Sequence, residues 1–145
     1  PPVHLHRPAV AHRDKPVDGP GKVSSAVLET VAGHALEAAG VAAAEVATLC
    51  SDADQHTARA TELFGAMLSL LPHLDAVEDT RLAGPLLGRS DATAVLITIA
   101  LAAQQAGKRE QASLALSVDD PQARLALVAR PAPPTPAAPT PPAAP

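Results

Sequence analysis

The side chains able to do acid–base chemistry in this sequence are His34, His56 and His73, with Asp52, Asp54 and Asp75 close to them along the chain. A histidine one helical turn after an aspartate could act as a general base, and His56 follows Asp52 at that spacing. His56 also lies on an apolar stripe, where a histidine is an interface residue rather than a base. His73 follows Pro72, and a cationic side chain there would complement a helix end. No Gly-x-Ser-x-Gly, His-Glu-x-x-His or glycine-rich phosphate loop occurs. His4, His6 and His12 sit in a proline-rich arm that offers no scaffold to fix metal ligands. The lone Cys50 excludes an internal disulfide and a cysteine zinc site, and its apolar setting suits a small hydrophobe. The expectation is a protein that is not an enzyme, with no catalytic, cofactor-binding or metal residues.

Charge narrows the partners. The chain carries −4, distributed as +2 over residues 1–22, −6 over 23–90 and zero over 91–130. An acidic body is a poor binder of phosphate backbones, which argues against nucleic acid. The apolar run Ala92–Ala103 is too short to span a bilayer, and no signal-type hydrophobic segment opens the sequence, so a cytoplasmic address is expected. Asparagine is absent and arginine outnumbers lysine, the bias of a GC-rich bacterial coding sequence.

Periodicity supplies the elements. With Leu28 as origin at 100° per residue, one stripe collects Leu28, Val31, Ala32, Ala35, Ala39, Ala42, Ala43, Val46, Leu49 and Cys50. At unchanged phase it continues through His56, Ala60, Phe64, Met67, Leu68 and Leu71. This coherence predicts one helix over 24–71, ~70 Å long and ended by Pro72. The rival is a break at Ser51-Asp52-Ala53-Asp54, which has the form of an N-cap. Gly33 and Gly40 fall on or beside the solvent face, where a helix tolerates them. Asp75 and Glu78 predict a short capped helix. Ser90 caps a helix over Asp91–Ala106 that is apolar all round through Leu101 and should be the most buried element. A weak helix over 109–117 and a last one from Asp120-Pro121 to Arg130 complete the set, and no strand pattern is read.

The resulting fold class is all-α: a long N-terminal helix with a cluster of shorter helices over 23–130, a disordered arm over 1–22 and a Pro/Ala/Thr-rich disordered tail over 131–145. The function that follows is a non-enzymatic helical interaction or assembly module, adaptor or structural subunit. Its partner is another protein or a second copy, met through Ala32, Ala35, Ala39, Ala42, Ala43 and Val46. Two alternatives stand beside it. Leu87-Gly88-Arg89-Ser90-Asp91-Ala92-Thr93-Ala94-Val95 resembles the Leu-Gly-x-Asp-Ser-Leu-x-x-Val motif of acyl-carrier proteins, with Ser and Asp transposed. That resemblance implies a degenerate carrier-like domain loaded with phosphopantetheine at Ser90. The other alternative is a small DNA-binding regulator.

Overall fold

The computed structural model describes residues 2–87 and 91–144. It overturns the all-α expectation: the chain is 37% helix and 23% strand, built on a six-stranded sheet. The elements in order are β1 (Val3–Leu5), β2 (Ala9–His12), α1 (Ala26–Ala39), β3 (Val46–Ser51), α2 (Thr57–Leu70), β4 (Thr80–Leu82), α3 (Gly84–Leu87), α4 (Asp91–Arg109), β5 (Ala112–Ser117) and β6 (Ala123–Pro131).

The long helix does not exist, and Gly40 is where it fails. Gly40 adopts φ 64°, a left-handed conformation open to glycine at little cost. Its N–H donates to the Glu37 carbonyl, and the Val41 N–H reaches back to Leu36, closing α1. The chain then extends into β3. Phase coherence survived the break because β3 is buried on both faces, so its residues satisfy any period laid over them.

The sheet runs β1-β6-β5-β3-β4, with β2 also on β6, so that β1 and β2 lie in tandem along one edge. β3 is parallel to both β4 and β5, and β5 and β6 form an antiparallel pair. The arm predicted as disordered therefore supplies an edge, with Val3 opposite Pro131 and Val10 opposite Leu125. Strands β5 and β6 replace the two helices expected over 109–117 and 120–130. Asp120 does not cap a helix; its Oδ1 accepts the Gln122 and Ala123 N–H groups and turns β5 into β6. Asp75 likewise accepts from Val77 and Glu78 in a turn that leads into β4.

Two apolar layers sandwich the sheet. On one face α1 and α2 pack Leu28, Val31, Leu63 and Met67 against Leu49, Leu114, Leu116 and Val128. On the other, Ala102 and Ala106 of α4 cover Cys50, Ala115, Leu127 and Ala129. The alternation within β5 and β6 sends successive side chains to opposite layers. Residues 132–144 carry no regular secondary structure. Among the described residues no helix is long and apolar enough to cross a membrane.

Candidate functional site

In open α/β sheets ligands bind beyond the carboxyl ends of the parallel strands, where loops converge. Here β3 and β5 end side by side, Ser51 opposite Leu116, and the next residues turn into a polar cluster. Asp52, 1% exposed, leaves β3 and crosses to the end of β5. The Ser117 hydroxyl donates to its Oδ2 at 2.6 Å, and the Val118 N–H donates to its Oδ1 at 2.7 Å. Burial pushes the Asp52 carboxyl up from its ordinary value, although both hydrogen bonds favour the charged form.

Beside this pair, the first turns of α2 bring two more buried charges inward. Arg59, 3% exposed, is ringed by carboxylates: Asp18 at 3.2 Å, Asp119 at 3.3 Å and Asp54 at 3.6 Å. Its Nε is buried with no partner among the described residues. Three residues later Glu62 takes both Nε and Nη2 of Arg124 and also accepts from Arg13 at 2.9 Å. The buried pair needs this many bonds, because a desolvated charge left unpaired is costly.

Arg59, Arg124, Ser117, Asp119 and Asp120 form the charged wall of a cavity of ≈ 490 Å³. Val10, Val95 and Leu125 form its apolar wall. That volume suits a small organic molecule. The charged wall is largely neutralised by ion pairs, Arg59 with Asp119 and Arg124 with Glu62.

The expected interface residues lie elsewhere. Ala32, Ala35, Ala39 and Val46 are in the chain's own core, Ala43 is partly buried against it, and Ala42 is exposed beyond the end of α1. Of the acid–base candidates, His56 is exposed and pairs with Asp54 at 2.6 Å, and His73 meets the Val46 carbonyl at 2.7 Å. His34 is exposed on α1. Ser90 lies outside the described residues, as does its proposed capping role. Residues 109–130, expected as two helices, form the end of α4 and the β5–β6 hairpin, so an all-helical carrier-like domain finds no support in the fold. Among the described residues no cluster of histidine, cysteine or carboxylate side chains could hold a metal. Sequence reasoning missed Ser117, Arg59, Arg124 and Glu62. Arg59 and Glu62 share one face of α2, a signal hidden by the phase carried over from α1.

The fold is ketosynthase-like. The solved structure titled "The ishigamide ketosynthase/chain length factor" is similar to this chain at a TM-score of 0.51, with 24% sequence identity over 84% of the chain. The match spans 33% of that neighbour, so this chain corresponds to about a third of its length. No protein-family model and no curated protein matches the chain. The helical-adaptor reading and its alternatives fall with the all-α fold on which they stood.

Proposed function

We propose that this chain is a non-catalytic, ketosynthase-like subunit of a polyketide-type assembly system, holding an acyl chain in the cavity at the carboxyl ends of β3 and β5. The cavity's division into an apolar and a charged wall carries this reading. An acyl chain with oxo groups needs a channel that takes its methylenes and a donor that meets its carbonyl oxygens. Val10, Val95 and Leu125 supply the first, and the Arg59 guanidinium on the charged wall supplies the second. An anionic guest is disfavoured, because Arg59 already faces three carboxylates.

The non-catalytic part rests on Cys50. Acyl transfer from a thioester to a thiol needs the thiolate, and an accessible one. Cys50 is the single thiol of the chain, sealed under α4, and burial pushes it up to about 12 against the pull of Arg81 and Arg109. The test is calorimetric titration with a short β-oxoacyl thioester of N-acetylcysteamine, followed by intact mass. Saturable binding that Val95→Trp abolishes, with the mass unchanged, supports the proposal. No binding, or an acyl adduct on the protein, overturns it.

A further inference from the structure

Ser117 ends a row of side chains that crosses three strands. It stands opposite Leu125 on β6, and Leu125 stands opposite Val10 on β2. Residues directly opposite one another in antiparallel strands share a face of the sheet. Leu125 packs into the layer under α4, so the Ser117 side chain is on that side too. All three residues line the cavity, together with Val95 of α4. The hydroxyl therefore stands where the charged wall meets the apolar one.

Asp52 decides what that hydroxyl can offer. A serine hydroxyl has one proton to donate and two lone pairs with which to accept. The proton is already committed to Asp52 Oδ2, at the 2.6 Å of a charge-assisted bond. Asp52 is held in place by its other oxygen, which accepts the Val118 N–H at 2.7 Å. Because Asp52 is buried, water does not compete for the serine proton. What Ser117 has left for the cavity is lone pairs alone.

We infer that the cavity selects an acyl chain carrying a hydroxyl group, which donates a hydrogen bond to Ser117, and that Asp52 is the positioning residue that keeps Ser117 an acceptor. A ketone at the same carbon presents only lone pairs, which would face the lone pairs of Ser117 with no proton between them. The carbonyl oxygen of the chain goes instead to the Arg59 guanidinium on the charged wall. A guest that satisfies both walls bears a hydroxyl as well as a carbonyl, and a hydroxyacyl chain is the simplest such molecule. The inference deepens the acyl-binding reading of the cavity and rests on it.

Calorimetric titration of the full chain tests it, with N-acetylcysteamine thioesters of one chain length that carry either a hydroxyl or a ketone at the β or the δ carbon. At one of these positions the hydroxy chain is expected to bind about tenfold tighter than the keto chain, the effect of one hydrogen bond. Ser117→Ala should abolish that difference, and Asp52→Asn should reverse it. The asparagine oxygen must still accept from Val118, since a backbone N–H can only donate, so its NH2 group turns to Ser117. The serine proton is then released to meet a ketone. A merely structural aspartate would lower both affinities together and leave their ratio unchanged. Equal affinities at both positions in the wild type, a preference that survives Ser117→Ala, or an unchanged ratio in Asp52→Asn overturns the inference. In each of these cases binding that Val95→Trp abolishes keeps the acyl-binding reading in place, whereas no binding of any chain removes both.

Discussion

Glu62 and Arg124 meet with no exposure to solvent, their two hydrogen bonds of 2.9 and 2.8 Å tying α2 to the middle of the sheet through β6. The Arg124 Nη1 also donates to the carbonyls of Asp120 and Ala123, so the guanidinium fixes the β5–β6 turn as well. Glu62→Ala should cost about 3–5 kcal/mol, because it leaves Arg124 charged and unpaired in the interior. Replacing both residues together, Glu62→Leu with Arg124→Met, should recover most of that loss. Urea denaturation of the two variants checks both values.

Asp52 has a pH signature of opposite sign to those of Asp79 and Asp120. Its folded-state pKa is raised by burial, so between its ordinary value near 3.8 and the raised value the native state binds more proton than the unfolded chain. Stability in that window falls as pH rises. Asp79 and Asp120 are held low, by backbone hydrogen bonds first, and their contributions are lost as pH falls through the acid range. Asp52→Asn should therefore flatten the decline above pH 3.8 while leaving the loss at lower pH. Thermal melts of both chains across that range isolate the difference.

Two glycines should respond to alanine in opposite directions. A Cβ at Gly84 would meet the carbonyl oxygens of Asp52 and Ala53 at 2.4 Å, both backbone atoms of the loop that carries the site. Gly84→Ala should destabilise by roughly 1–3 kcal/mol, the range for overpacking. Gly33, within α1, has open space at that position, and Gly33→Ala should stabilise by about 0.5–1 kcal/mol.

Cys50 should be silent to thiol reagents in the folded chain. Ellman's reagent is expected to give no colour with the native protein and one equivalent after denaturation. Rapid native labelling would mean that α4 opens easily.

What the sequence revealed depended on how each element is buried. α1 turns one face to the sheet, so its apolar period is visible and residues 26–39 fall inside the segment expected to be helical, whereas the helix expected over Asp91–Ala106 runs on through Gly107 to Arg109. β3 and β5 are buried on both faces and read as apolar runs with no period of two. Arg124, the second residue of β6, disguised that strand, since a buried arginine is intelligible only once Glu62, 62 residues earlier, stands beside it. The phase error in α2 has the same root. Its buried face is Arg59, Glu62, Leu63, Ala66 and Met67, whereas the extrapolated stripe turned Leu68 inward, and Leu68 is 75% exposed. The pairing of Asp52 with Ser117 is a product of strand order, which local spacing does not encode.

The pairing of Val3 with Pro131, reinforced by the bond from the Ala132 N–H to the Pro2 carbonyl, gives the unit a property of its own. Residues 2 and 132 are thereby held side by side, so a pull applied between them would unzip β1 from β6 one pair at a time before it reached either apolar layer.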